Sequence, residues 1–150
     1  MTRALIAVGT ALALFVGGLA LVVYLNRDED NIQVDNALSE DFTRAVQLSE
    51  AKQADVDLRE LAPFAWTRAL VVAPDTPHSV ISRRLGYEWK GLQGFETGGE
   101  IVILLRSDGQ VARFFDYRGL GRFAGLKTPI ASLPRDHAVF RVTDLVITPR

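Results

Sequence analysis

With 150 residues, 17 basic and 18 acidic side chains and a net charge of −1, the chain is of one-domain length and lacks the basic excess of a nucleic-acid surface. It has no cysteine, which excludes disulfides, thiolate metal sites, a cysteine nucleophile and lipid attachment through an N-terminal cysteine.

Ala4 to Leu25 is a run of 22 residues without charge, twelve of them Leu, Ile, Val or Phe. As a helix it would measure about 33 Å, enough to cross a bilayer core. No small-x-small cleavage site closes it, and Val22-Val23-Tyr24-Leu25-Asn26 runs straight into Arg27. The expectation is therefore an uncleaved, single-pass signal anchor in the lipid bilayer. Arg3 and the N-terminal amine outweigh Arg27, and Tyr24 stands where an interfacial aromatic belongs, so the N-terminus is expected inside and the domain outside. Gly9, Ala13 and Gly17 fall four apart, the small-xxx-small spacing through which two anchors could pair as a homodimer. The expected organisation is residues 1–3 as inner tail, 4–25 as anchor, 26–35 as charged exit linker and 36–150 as folded domain.

Beyond the linker, Leu38, Phe42, Ala45, Val46 and Ser49 lie on one face of an amphipathic helix spanning Asp35 to Ala54. Residues 55–65, with Pro63, read as an extended connection, and Trp66 to Val72 as a strand. Pro74-Asp75-Thr76-Pro77 stops that strand. Thr76 is the expected N-cap of a second helix, Pro77 to Leu85, which Gly86 ends in a left-handed cap. Tyr87 to Gly99 holds four glycines and reads as a long loop. Ile101 to Arg106 (IVILLR) is a continuous apolar run, typical of a strand covered on both faces. Ser107-Asp108-Gly109 turns it into a return strand, Gln110 to Tyr117. Residues 118–135 read as a glycine-punctuated loop, and Ala138 to Ile147 as a last strand whose inward side changes, so that a bulge is expected near Thr143 or Asp144. This order makes an α+β domain with a four-stranded, mainly antiparallel sheet and two helices on one face the simplest architecture.

Charge is partitioned along the domain. Residues 31–62 carry seven acids against three bases, and 63–150 twelve bases against eight acids. The expected use is packing of an acidic helix flank against basic strands.

Phe64-Ala65-Trp66-Thr67, Leu70-Val71-Val72, Pro74, Thr76-Pro77 and Leu85-Gly86-Tyr87-Glu88-Trp89 together resemble a pattern found in small bacterial membrane-anchored proteins and lipoproteins. That pattern is Phe-x-Trp-Asp, a short strand, Pro-Tyr-Thr and a helix ending in Leu-Gly, and the likeness covers about residues 56–117. Thr67 replaces its Asp and Asp75 its Tyr. The resemblance implies an extracytoplasmic setting, here the outer face of a bacterial cytoplasmic (inner) membrane, and supplies no activity.

Few residues point to chemistry. Gly119-Leu120-Gly121-Arg122-Phe123-Ala124-Gly125 lacks the last spacing of a dinucleotide loop and reads as a flexible glycine loop. Arg118, Arg122 and Lys127 in it could contact an anion or a lipid headgroup. Tyr87, Trp89 and Phe95 could present an aromatic surface to a partner, with packing over the sheet edge as the alternative. His78 and His137 are the two histidines, and neither lies in an H-x-x-x-H or H-x-x-E pair or beside a G-x-S-x-G elbow. No cofactor, metal site or catalytic set is indicated. The expected function is a non-enzymatic, membrane-tethered interaction domain working with another envelope protein. The alternatives are an envelope hydrolase using His78 or His137, and a structural subunit of a membrane assembly. Trp66 is expected in the core.

Overall fold

The computed structural model describes residues 34–52, 54–91, 99–127 and 129–150. The expected anchor at 4–25, with Gly9, Ala13 and Gly17, the tail before it, the linker up to residue 33, and Phe95 lie outside the described residues. Among the described residues no helix is long and apolar enough to cross a membrane. Contacts divide the chain into Met1–Asn31 and Ile32–Arg150, and the fold below is that of the second unit.

The elements in chain order are α1 (Asn36–Lys52), β1 (Asp55–Asp57), α2 (Leu58–Leu61), β2 (Arg68–Val72), α3 (His78–Leu85), β3 (Ile101–Leu105), β4 (Val111–Asp116), β5 (Arg122–Phe123), β6 (Ile130–Pro134), a 3₁₀ turn (Arg135–His137), β7 (Val139–Thr143) and β8 (Val146–Pro149). They form two four-stranded sheets, ordered β4-β3-β2-β6 and β1-β7-β8-β5. This corrects the expectation of one four-stranded sheet with two helices, and three misread segments account for the difference. Asp55–Asp57, read as a connection, pairs with β7 and leads directly into α2. The glycine-punctuated stretch 118–135 supplies β5, parallel to β8, and β6, antiparallel to β2. The expected last strand is a hairpin: Asp144 (φ 50°) and Leu145 (φ 62°) are both left-handed, the geometry of a two-residue primed turn. The inward side changes there because the chain reverses, with no bulge.

A bulge does occur at the other hairpin, where the β3–β4 register shifts between Leu104 and Leu105. One extra residue on β4 moves Val111 to the outer face while Phe115 and Tyr117 face inward. Expected and observed agree for IVILL: all five residues of β3 are buried. Ile101, Ile103 and Leu105 join Leu70, Val72 and Phe114 under Ile81 of α3 and the Trp89 indole. Val102 and Leu104 point the other way, into the larger core with α1 and the second sheet. Phe42 of α1 is the hub of that core, with ring centroids 5.2 Å from Phe115, 5.8 Å from Tyr117, 6.0 Å from Phe123 and 6.1 Å from Phe140.

The expected helix face is the observed one: Leu38, Phe42, Val46 and Ser49 are buried, with Ser39. Asp35 starts the helix, its Oδ1 accepting from the Leu38 N–H at 3.0 Å. The same helix closes the β4 edge. The Asp35 N–H donates to the Phe114 carbonyl, the Asp116 N–H to Ser39 Oγ and the Arg118 N–H to Thr43 Oγ1. Residues 35, 39 and 43 recur every four positions, so one helical stripe meets alternate residues of a strand and leaves those groups no free edge. Gly86 (φ 85°) caps α3 as expected. Thr76 does not cap its start; its hydroxyl donates to the Ala73 carbonyl, and Pro77 takes the cap position without a side-chain bond.

Candidate functional site

Phe64 and Trp66, two residues apart in the most motif-like stretch, have opposite fates. Trp66 is 3% exposed and its Nε1–H donates to the Ala62 carbonyl at 3.0 Å. Phe64 is half-buried at the margin of the core, in a groove of about 310 Å³ floored by Leu38, Leu61 and Pro63. The Arg113 guanidinium lies 4.6 Å from the Phe64 ring centroid and pairs with Asp35 at 2.7 Å. Guanidinium, ring and carboxylate hold one another, so the groove wall is preorganised. Burial pushes the Asp35 carboxyl up, but the Arg113 guanidinium and the Leu38 N–H outweigh it and hold it below the ordinary carboxylate range. Asp41 lines the rim. The site offers an aromatic edge and an apolar floor under a charged border, the anatomy of a small protein–protein contact. Sequence reasoning quoted Phe64 only as part of a motif and gave no sign of Arg113, which comes from a strand almost fifty residues on.

Two other clefts are more polar or more open. One of about 460 Å³ lies between the end of α1 and β7, lined by Glu50, Arg141, Thr143 and Asp144. The other, about 470 Å³, lies over α3 and gathers His78, Ser79, Ser82 and Glu88. It holds the residue types of a hydrolase, but Ser82 Oγ accepts from the Trp89 N–H, and the buried His78 Nε2 has no hydrogen-bond partner. Among the described residues no bond ties the histidine to a serine or a carboxylate, the link that would activate a nucleophile. His137 is exposed in the 3₁₀ turn. Among the described residues no three His, Cys, Asp or Glu side chains converge on a metal site.

The residues singled out in sequence are scattered. Trp89 is 3% exposed and stands edge-on to Phe114 at 4.9 Å, so it is packing and not a presented surface. Tyr87 is half-buried, and its hydroxyl accepts from the Val111 N–H. Arg118 is engaged by Asp116 at 2.8 Å and by Asn36 at 2.6 Å. Arg122 on β5 and Lys127 after it are exposed. Of the expected pairing between an acidic helix flank and basic strands, Asp35 at the start of the helix meets Arg113, whereas Asp55, which meets Arg141 and Arg150, belongs to β1. Along α1 itself, Asp41 pairs within the helix with Arg44.

Comparison with protein-family models, with curated proteins and with solved structures finds no match.

Proposed function

We propose that this chain is a membrane-tethered, extracytoplasmic interaction module of the bacterial envelope, non-enzymatic, that receives a segment of a partner protein in the groove beside Phe64. The observation that carries the reading is the half-buried Phe64 ring, held against Arg113 over the apolar floor of Leu38, Leu61 and Pro63. A surface aromatic fixed in this way has already lost its side-chain entropy and can act as an anchor for a partner. Support for the tether is the uncharged run 4–25 in the sequence.

The test is affinity capture from membranes with the full chain. Phe64→Ser should lose a captured protein that the wild type retains, while Gln110→Ser on the β3–β4 hairpin should retain it. Identical capture by Phe64→Ser and wild type would remove the groove from the reading. A phosphatase reporter fused after Arg150 should be active if the domain lies outside, and an active cytoplasmic reporter there would reverse the orientation.

A further inference from the structure

We infer that the loop from Arg118 to Lys127 is a second membrane contact, in which Leu120 enters the headgroup layer of an anionic bilayer and Arg122 and Lys127 meet its phosphates. Leu120 is 92% exposed; among the described residues the other exposed large apolar side chains, Leu48 and Leu145, stand at 49% and 41%. The loop holds it there. Tyr117 is buried, and its hydroxyl accepts from the Gly121 N–H at 3.2 Å. A Cβ on Gly119 would overlap the Tyr117 hydroxyl, and one on Gly121 would lie 2.7 Å from the Leu145 carbonyl oxygen. Both glycines are thus seated against the body of the domain, and the residue between them projects. The far side is fixed as well: the Arg122 N–H donates to the Leu145 carbonyl, the Ala124 N–H to the Ile147 carbonyl, and Phe123 stacks on Phe42.

The charges favour a lipid surface over a protein partner. Arg118 is occupied by Asp116 and Asn36, whereas Arg122 and Lys127 are exposed and make no ion pair among the described residues. Of the carboxylates nearby, Glu50 accepts the Leu145 N–H, Glu100 the Phe123 N–H, and Asp116 holds Arg118, which Glu40 also faces; Asp144 and Glu40 are the exposed counter-charges. A single apolar tip between glycines, with bases beside it, has too little apolar area for a protein contact and the composition of an interfacial anchor. Ten residues lie between Leu25 and Asn36 in the sequence, at most about 40 Å of chain, and Asn36 is hydrogen-bonded to the loop through Arg118. The inference takes from the proposed function only that a bilayer is near.

The test is hydroxyl-radical footprinting of the full chain in vesicles of phosphatidylcholine alone and of phosphatidylcholine with phosphatidylglycerol, reading oxidation at Leu120 with Leu48 as internal reference. Leu120 oxidation should fall severalfold in the anionic vesicles while Leu48 stays constant. Arg122→Glu with Lys127→Glu, both at exposed positions, should restore it without moving the melting temperature. Equal oxidation of Leu120 in both vesicles, whether high or low, would overturn the proposal. A carbonate wash scores the tether separately: a chain that washes off refutes the tether, and the footprint taken before the wash still decides the loop.

Discussion

Replacing Trp66 with alanine tests whether the motif stretch is built for stability or for contact. The indole is 3% exposed and belongs to the core that joins α1 to both sheets. Its Nε1–H serves the carbonyl of Ala62, the residue that ends α2, and the Arg135 guanidinium lies 5.3 Å from the ring centroid. Truncation removes the ring, leaves the Ala62 carbonyl without that donor, and takes from Arg135 the surface it covers. Losing a buried Trp costs about 3–5 kcal/mol, against the roughly 5–15 that holds a domain of this size together. At about 4 °C per kcal/mol the midpoint should fall by roughly 10–20 °C. Trp66→Phe separates the two contributions, because it keeps most of the apolar volume but orphans the carbonyl. Its cost should be nearer 1–3 kcal/mol. Thermal melts of the three proteins in the same detergent measure both, and a Trp66→Ala midpoint within a few degrees of wild type would refute the assignment of Trp66 to the core.

Three further outcomes follow from single contacts. Ser39 is fully buried, donates to Asp116 Oδ1 at 2.7 Å and accepts the Asp116 N–H; Ser39→Ala should cost about 1–3 kcal/mol and raise hydrogen exchange at the Asp116 amide, and an unchanged amide would show that the β4 edge needs no helix. Asp35 has its folded pKa held below its unfolded value, so its contribution is complete above about pH 4 and is lost as pH falls through the lower folded value. Asp35→Asn keeps a good N-cap but loses the ion pair, so it should melt lower at neutral pH by under about 1 kcal/mol, Arg113 being half-exposed, and converge with wild type in acid melts; a gap independent of pH would place the effect elsewhere. Gly119→Ala forces a Cβ into the Tyr117 hydroxyl, and Gly121→Ala one against a backbone oxygen; each should lower the melting temperature, whereas Gly109→Ala, with open space around it but φ at 84°, should cost only the left-handed strain of about 1 kcal/mol.

What the sequence made legible was whatever is written in one period over several residues. The α1 face repeats Leu38, Phe42, Val46 and Ser49 at helical spacing, and each is buried. The run IVILL has no alternation because both of its faces are covered. Short elements carry no such period. Asp55–Asp57 and Arg122–Phe123 are strands because β7 and β8 lie beside them, and nothing within three residues or two announces a partner some twenty to eighty residues away. The β7–β8 turn escaped notice because it places Asp144-Leu145 where Asn-Gly is the expected signal, accepting left-handed strain at Leu145. The Leu145 N–H is held by Glu50 and its carbonyl by the Arg122 N–H, tertiary contacts that offset that strain.

The candidate groove was less legible than the fold, for a reason visible in Phe64 and Trp66. Strand alternation would put residues two apart on the same face, so a strand starting at Trp66 and extended back to Phe64 would bury both. The strand begins only at Arg68, and the bends before it free each side chain to take its own direction. Trp66 turns toward the carbonyl at the end of α2, and Phe64 turns out to Arg113. Arg113 can reach it because it stands opposite Leu104 in regular register, on the same face of β4 as Phe115 opposite Val102. The extra residue, Ala112, falls between Arg113 and Val111, so it alters the alternation at Val111, which joins the α3 layer, and leaves Arg113 and Phe115 where regular pairing puts them. The site is thus the product of one local departure from strand periodicity, the bends at Phe64, meeting a residue that regular pairing places on a strand distant in sequence. Deleting Ala112 should therefore remove the register shift and leave the Phe64–Arg113 stack and the Asp35–Arg113 pair in place. A deletion variant that folds but loses the partner captured by wild type would show that the groove does depend on the bulge.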